Sequence, residues 1–330
     1  MTKESAIESY LSLKEVSKDV FENSHPFKVP FGNHGIFGGC FISQSLHAAT
    51  LTVDAKFRPY SIHCNFLVAG DPTLSLRYRV ERLRDGKNYS HREVKVYQEG
   101  KLTFICTVSF QSRKLEGSAA DLGPQLRHQK DAPIIGKDVL LPEAMIDARE
   151  AFLKWYAIIL NKLKLENMPS GEEILSQVSP NLCEWRLPED YMDYGKIPEL
   201  EKLLFLSDNP PNPANKTFRH WFRARPTIKD PRFHEIALAY GSDMFLLSVT
   251  NRAFLRHFAS AKFSVSLDHT IYFHEEFKAD EWMCFCVRNT RTGDNRSLVT
   301  ADVFTREGKI AATVVQEGLV VIDRKRKSKL

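Results

Sequence analysis

The sequence predicts an α+β fold in which a helix lies across an antiparallel sheet, and it predicts that the chain contains this unit twice. Residues 32–112 begin with a helix-like stretch and continue with strand-like segments, and the same order of elements returns after residue 216. Four residues of one predicted turn also recur 207 positions later, where Arg84, Gly86, Asn88 and Ser90 correspond to Arg291, Gly293, Asn295 and Ser297. A duplicated unit explains both the shared order and the shared residues.

The first unit opens at the paired glycines Gly38 and Gly39, which start a helix-like stretch that extends to about residue 53. Segments rich in β-branched and aromatic residues follow, separated by glycine-containing turns. They are SIHCNFLVAG, LSLRYRVERLR, SHREVKVYQ and LTFICTVSFQ. This order predicts one helix followed by an antiparallel sheet.

The second unit starts with the strand-like TFRHWFRARPTI and continues with a helix that runs through AYGSDMFLL, residues 239–247. Asp230 suits the N-cap of this helix and Pro231 suits its first turn. Its apolar stripe consists of Phe233, Ile236, Tyr240, Met244 and Leu247. Asp243 lies on this stripe, so a regular helix would turn its carboxylate inward, where it needs a partner or a raised pKa.

Four further strand-like segments complete the second unit: VSLDHTIYFH, EWMCFCVRNT, SLVTADVFT and KIAATVVQEGLVVI. Two such sheets can join edge to edge with the helices on the concave face, which removes two exposed sheet edges. In the first unit Gln44 occupies the position that corresponds to Asp243. At this position, only the second unit therefore has a titratable side chain.

The chain divides into an N-terminal unit (1–112), a connector (113–216) and a C-terminal unit (217–330). A helix is predicted over 143–165 in the connector, and the proline-rich SDNPPNPANK at 207–216 interrupts regular structure. The connector is expected to lack a core of its own.

Composition excludes several functional classes. The net charge of +5 resides in the C-terminal RKRKSK segment, and the sequence has neither a zinc-ligand spacing nor a basic face interleaved with aromatics. We therefore expect no nucleic-acid partner. No signal peptide and no apolar run near 18 residues is found, so we expect no membrane span. The six cysteines contain no CxxC pair and are expected to be reduced.

Seven ordered motifs resemble one family. IFGGCFISQSLHAA, SIHCNFLVAGDP, LRDGKNYSHREV, SFQ, YGSDM, SLDHTIYFH and TVVQEG are similar in order and spacing to the type II acyl-coenzyme A thioesterases. That family has a double-hotdog fold and includes bacterial thioesterase II and the peroxisomal acyl-CoA thioesterases. The resemblance covers residues 31–112 and 217–322. It implies one continuous sheet built from two tandem hotdogs.

The resemblance implies one active site and the hydrolysis of fatty acyl-CoA to free fatty acid and coenzyme A. The family's catalytic acid, hydroxyl and amide correspond to Asp243, Ser266 and Gln316. A thioester is reactive enough for direct attack by a positioned water, so no covalent intermediate, metal or redox cofactor is required. By analogy, the helix start at Gly38 and Gly39 is the candidate for stabilising the tetrahedral intermediate.

The same residues allow other interpretations of their roles and of the protein's function. Judged alone, Asp243 is as readily a buried structural acid. Asp268 and His269 have no further metal ligands nearby, and we expect them to form a hydrogen-bonded pair that lines the substrate site. A hotdog enoyl-CoA hydratase is an alternative enzyme, although it would need an Asp-His pair on the helix. A catalytically inactive acyl-CoA-binding protein is a second alternative.

The C-terminal tripeptide Ser328-Lys329-Leu330 has the form of a peroxisomal targeting signal, which an import receptor reads. We therefore expect a peroxisomal matrix protein that acts in fatty-acid metabolism. A homo-oligomer is expected by resemblance alone. The acyl chain is expected to lie in an apolar tunnel between helix and sheet.

Overall fold

The chain is built around one antiparallel sheet. The computed structural model describes residues 5–29, 35–113, 126–163, 169–178, 181–189, 212–254 and 261–322. Within these ranges the strands are β1 Leu13–Ser17, β2 Val20–Asn23, β3 Phe57–Phe66, β4 Arg77–Asp85, β5 Tyr89–Gln98, β6 Lys101–Ser112, β7 Ile146–Asp147, β8 Cys183–Leu187, β9 Phe218–Ala224, β10 Ala261–Phe273, β11 Met283–Gly293, β12 Arg296–Thr305 and β13 Ile310–Ile322. They form a 13-stranded sheet in the order β1-β2-β4-β5-β6-β3-β10-β13-β12-β11-β9-β8-β7.

The helices pack on this sheet or on one another. In the described ranges they are α1 Ala6–Tyr10, α2 Gly38–Leu51, α3 Ala148–Leu163, α4 Gly171–Val178, α5 Phe233–Ser242 and α6 Ser248–Ala253. The long helices of the two units, α2 and α5, pack against each other. In each unit a helix is followed by antiparallel strands, as predicted, although β1 and β2 precede α2 and were not predicted.

The two units share a sheet through β3 and β10. These strands pair antiparallel from Asn65 opposite Asp268 to Ser61 opposite Tyr272. Ile62 and Ile271 are register partners at this joint, and both are fully buried in one core that includes residues of α2 and α5. The predicted edge-to-edge joining of two units is confirmed.

The connector contributes strands to the sheet, which the sequence analysis did not predict. β8 pairs with β9 of the C-terminal unit, and the short β7 pairs with β8 at the sheet edge. A small apolar cluster also holds the connector against the sheet and comprises Val139, Met145, Trp221 and Cys284. The predicted helix over 143–165 begins later, at Ala148, because Pro142–Ala144 forms a 3-10 turn and β7 follows it.

The N-terminal residues also form structure that the sequence analysis did not identify. Ser5 and Glu8 form a capping box at the start of α1. Glu8 Oε1 also accepts from the backbone N–H groups of Lys229 and Asp230, which precede α5. The first helix is thereby attached to the C-terminal unit.

Candidate active site

Asp243 lies at the end of a helix and not within it. Helix α5 ends at Ser242, Asp243 is its C-cap, and Phe245 has a left-handed backbone with φ of 67°. The chain then resumes helical structure at Ser248. The predicted continuous helix through Leu247 is therefore wrong. The helical spacing of apolar residues continues past Ser242, but the backbone leaves the right-handed helical conformation there.

The start of α5 also differs from the prediction. The N-cap is Arg232 and the helix begins at Phe233. Asp230 Oδ1 accepts from the backbone N–H of Arg232 at 2.9 Å, so its carboxylate organises the turn before the helix. The predicted N-cap at Asp230 lies two residues too early.

A β-bulge in β10 orients the strand residues of the site. Ser266 is opposite Gly318 of β13 and Asp268 is opposite Glu317, so Leu267 is an extra residue without a register partner. Without this bulge, Ser266 and His269 would point to opposite faces of the sheet, since they are three residues apart. With it, both side chains bond to the end of α5.

Asp243, Ser266 and Gln316 form one hydrogen-bonded group. Gln316 Nε2 donates to Asp243 Oδ1 at 2.9 Å and to Ser266 Oγ at 2.7 Å. Ser266 Oγ donates in turn to Asp243 Oδ1 at 3.4 Å. Gln316 is 1% exposed, whereas Asp243 and Ser266 are partly exposed as whole residues, so the group lies close to the surface on their side.

The surroundings of Asp243 raise its pKa. Burial disfavours the charged carboxylate and is the largest effect, while hydrogen bonds from Gln316, the Gly39 backbone N–H and Ser266 act in the opposite direction. A carboxylate with a raised pKa and several fixed donors is suited to accept a proton.

Four titratable groups near Asp243 stay neutral around pH 7. Burial raises the pKa of the Cys40 thiol to about 12 and also raises the pKa values of Cys64 and Tyr240. Burial lowers the pKa of His269 to about 3. Asp243 differs from these groups, because its carboxyl loses its charge as the pH falls, at a pKa above the ordinary value of 3.8.

Gly38 and Gly39 allow the start of α2 to approach the end of α5 closely. A Cβ on Gly38 would lie 2.6 Å from Asp243 Oδ2, and one on Gly39 would clash with the carbonyl oxygen of Tyr240. The Gly39 N–H donates to the Asp243 carboxylate. Both glycines thus lie beside the acid, and their role toward the substrate stays a prediction.

Asp268 and His269 do not form the expected hydrogen-bonded pair. Asp268 Oδ1 accepts from the backbone N–H of Glu317 at 3.0 Å, beside the bulge. His269 Nε2 lies 2.9 Å from Ser242 Oγ, and its side chain is fully buried. The expected pair is wrong because adjacent residues of a strand point to opposite faces. Their predicted contact with substrate stays untested.

Two helix residues have roles that the sequence analysis did not assign. Ser242, which sequence reasoning treats as local helix polarity, bonds to His269. Gln44 Oε1 accepts from the Tyr78 hydroxyl at 2.6 Å, which gives the amide of the first unit a buried structural partner. The histidine in SLDHTIYFH was visible in the sequence. Its contact with Ser242 was not, because that contact depends on how α5 packs against β10.

Two features bear on other classes of function. Across the residues that the structure describes, no three His, Cys, Asp or Glu side chains come together as a metal-binding group. In the same ranges, no helix combines the length and apolar character needed to cross a bilayer. The predicted targeting residues Ser328, Lys329 and Leu330 lie outside the described residues.

Comparison with known proteins gives consistent matches. The acyl-CoA thioesterase family matches residues 213–319, and the acyl-CoA thioesterase N-terminal domain matches residues 27–111. Acyl-coenzyme A thioesterase 8 of Mus musculus is 32% identical over 323 residues, covering 95% of this chain and 88% of the relative. Peroxisomal acyl-coenzyme A thioester hydrolase 1 of Saccharomyces cerevisiae is 30% identical and covers 98% of this chain and 96% of its own length.

Solved structures agree with these relatives. The acyl-CoA thioesterase II TesB2 of Mycobacterium marinum is 26% identical with a TM-score of 0.66, and the match covers 97% of this chain and 98% of that one. A second solved structure, from Thermobifida fusca, has the same TM-score of 0.66 at 12% identity, covers 97% and 99% of the two chains and shows the same fold. The predicted α+β double-hotdog class is confirmed by these matches and by the single antiparallel sheet.

Proposed function

This chain belongs to the acyl-CoA thioesterase family and is an acyl-CoA thioester hydrolase, and we propose that a water held by Asp243, Ser266 and Gln316 attacks its substrate directly. The proposed substrates are fatty acyl-CoAs, and the products are free fatty acid and coenzyme A. The observation that supports this most is the group of hydrogen bonds in which Asp243 Oδ1 accepts from both Gln316 and Ser266.

In the proposed reaction Asp243 is the general base. Its carboxylate accepts a proton from water while the water oxygen forms a bond to the thioester carbonyl carbon. The carbon–sulfur bond then breaks, and the proton passes to the departing coenzyme A sulfur. The pKa of Asp243 is raised by burial, which makes its carboxylate a stronger base than an exposed aspartate.

Ser266 and Gln316 hold the base and the water in position. The Gln316 amide is buried and donates to both of the other side chains, so it fixes their relative orientation. The Ser266 hydroxyl can both accept and donate, which suits it to hold a water beside the carboxylate. Orientation of this kind reduces the entropy lost on reaching the transition state.

The N-terminal end of α2 is the proposed site of charge stabilisation. Gly38 and Gly39 start this helix beside the Asp243 carboxylate, and the partial positive charge of a helix N-terminus favours negative charge there. The oxygen of the tetrahedral intermediate would develop negative charge at this end.

The proposed activity is tested by measuring release of free coenzyme A thiol from saturated acyl-CoAs of increasing chain length. Binding of the same acyl-CoAs is measured in parallel by calorimetry. We expect thiol release with a chain-length preference that defines the substrate class. Tight binding without thiol release would overturn the proposal and identify a binding protein, and consumption of enoyl-CoA without thiol release would identify a hydratase.

We also propose that the protein acts in the peroxisomal matrix. This proposal is supported by the sequence Ser328-Lys329-Leu330 and by the name of the yeast relative. It is tested by imaging an N-terminally fluorescent fusion with and without these three residues. Diffuse fluorescence of the intact chain would contradict the proposal.

A further inference from the structure

Two buried polar atoms next to the proposed site have no hydrogen-bond partner of good distance and angle, although the Gln316 side chain acts on the pKa of His269 as a hydrogen-bond partner does. They are Nδ1 of His269 and Oε1 of Gln316. The two residues are register partners in β10 and β13, and side chains directly opposite one another in an antiparallel pair have Cβ atoms roughly 4.5–5.5 Å apart. The two unpaired atoms therefore belong to neighbouring side chains that can satisfy each other.

The orientation of the Gln316 amide is fixed on its other side. Both of its N–H groups are used, one on Asp243 Oδ1 and one on Ser266 Oγ. A flipped amide would place its oxygen against the Asp243 carboxylate and remove a donor from it. Oε1 must therefore point away from the acid, toward His269.

The tautomer of His269 determines whether its Nδ1 atom presents a proton or a lone pair to Oε1 of Gln316. Ser242 Oγ lies 2.9 Å from His269 Nε2 and also 2.9 Å from the carbonyl oxygen of Ala239, and a hydroxyl has one proton to donate. If that proton goes to Ala239, His269 carries its proton on Nε2, and the bare Nδ1 faces Oε1 of Gln316. If the proton goes to Nε2, His269 carries its own proton on Nδ1 and can donate it to Oε1.

We propose that His269 is a positioning residue, which accepts from Ser242 at Nε2 and donates from Nδ1 to Gln316 Oε1, so that the amide nitrogen stays directed at Asp243. This arrangement leaves neither buried atom of the pair unsatisfied. Burial keeps the imidazole neutral at neutral pH, so one nitrogen donates while the other accepts. The inference deepens the proposed function and rests on it.

The test compares two amide substitutions of the same residue in the full-length protein. In His269→Asn the amide nitrogen can take the place of Nδ1, and in His269→Gln the longer side chain can replace Nε2 but not Nδ1. We expect His269→Gln to lower kcat about 10²-fold with little change in KM, because the Gln316 amide is no longer held. His269→Asn should recover most of that loss. Equal kcat values for the two variants would overturn the inference.

A second readout is the acid limb of the kcat–pH profile. When the amide turns, Asp243 loses an N–H donor and its pKa rises, so the limb should move to higher pH in His269→Gln and stay in place in His269→Asn. The other titratable groups that face Asp243 are Cys40, Cys64 and Tyr240, and the raised pKa of each keeps it uncharged in this range. An unmoved limb in His269→Gln would overturn the inference.

A double-mutant cycle separates positioning from packing. In the Gln316→Ala background, His269→Gln should lower kcat little further. If the fold-losses of the two single variants multiply in the double variant, the residues act independently and the inference is overturned. Ser242→Ala provides a milder change should His269→Gln fail to fold, and it should lower kcat and move the limb in the same direction. A Ser242→Ala variant with wild-type kcat and an unmoved limb would overturn the inference.

Failure of this inference can be told apart from failure of the proposed function. If Asp243→Asn retains full activity, the proposed function fails and His269 has no base to position. If Asp243→Asn is inactive while His269→Gln equals the wild type, the proposed function stands and this inference fails.

Discussion

At the residue scale, the proposed reaction depends on the protonation state of Asp243. Burial raises the pKa of this carboxylate above its ordinary value of 3.8, and the bonds from Gln316, Gly39 and Ser266 offset only part of that increase. A base must be deprotonated to act, so activity requires a pH above the raised pKa. The acid form accumulates as the pH falls and cannot accept the proton of water.

We therefore predict that kcat falls as the pH drops through a single limb whose midpoint lies above 3.8, the ordinary pKa of aspartate. The measurement is kcat from thiol release at saturating acyl-CoA from strongly acidic to neutral pH, so that the range extends below 3.8. His269 is excluded as the source because burial lowers its pKa to about 3. A midpoint at or below the ordinary aspartate value would contradict the account.

The sequence alone identified part of the site. The apolar spacing around Asp243 indicated a carboxylate turned toward the core, and that inference needed no relative. Ser266 and Gln316 are ordinary strand residues in composition, and they were selected by resemblance. Their bonds to Asp243 join β10, β13 and α5, so they depend on tertiary contacts that a local pattern does not encode.

At the scale of the elements, the site depends on the close approach of α2 to the end of α5. A Cβ at Gly38 would lie 2.6 Å from Asp243 Oδ2, although alanine is itself favourable in a helix. We predict that Gly38→Ala lowers kcat about 10²-fold by displacing the carboxylate, with little loss of thermal stability. Both quantities are measured on the purified variant.

Gly293→Ala is the matched control for this prediction. Its added Cβ would meet the Arg291 guanidinium at 3.2 Å, and an exposed arginine side chain can move aside. It should leave kcat and the unfolding midpoint unchanged. Equal kcat for the Gly38 and Gly293 variants would show that the helix approach does not set the position of Asp243.

Element boundaries are the part of the fold that the sequence predicted least well. The break after Ser242 contains neither glycine nor proline, and Phe245 has a left-handed backbone that its residue type does not indicate. The bulge at Leu267 is set by the register with β13, a segment distant in sequence. Both features place catalytic candidates.

At the scale of the whole molecule, the two units share one sheet and one core, so they should unfold together. Arg92, in the N-terminal unit, is fully buried and donates to the Thr52 hydroxyl at 2.9 Å and to the carbonyl oxygens of Thr52 and Arg84, each at 3.0 Å. Thr52 caps the C-terminal end of α2. Loss of the guanidinium would leave the two acceptors of the buried Thr52 without this donor.

We predict that Arg92→Met lowers the free energy of unfolding by about 2–4 kcal/mol, since each unpaired acceptor costs about 1–3 kcal/mol. All four tryptophans lie beyond residue 112, so their fluorescence reports the connector and the C-terminal unit, while circular dichroism reports the whole chain. Both midpoints should fall equally if the units unfold together. The exposed Arg288→Met is the control and should change neither. A lower midpoint by circular dichroism alone would show that the units unfold independently.

The overall architecture was predictable because duplication repeats a pattern, and strands β3 to β6 and β9 to β13 lie where alternation and turn residues indicated. Strands β1 and β2 of the N-terminal unit were missed. The strands of the connector were missed, because β7 is two residues long and β8 is recognisable only from its pairing with β9. The division at residues 112 and 216 stays a prediction.

The central claim is that Asp243 activates the attacking water, and the most direct measurement is thiol release by Asp243→Asn compared with Asp294→Asn. Asp294 is exposed in the turn between β11 and β12, where asparagine tolerates the positive φ of 55°. We predict that Asp243→Asn lowers kcat about 10²–10⁴-fold with the fold intact, while Asp294→Asn matches the wild type. An Asp243→Asn variant as fast as Asp294→Asn would contradict the account.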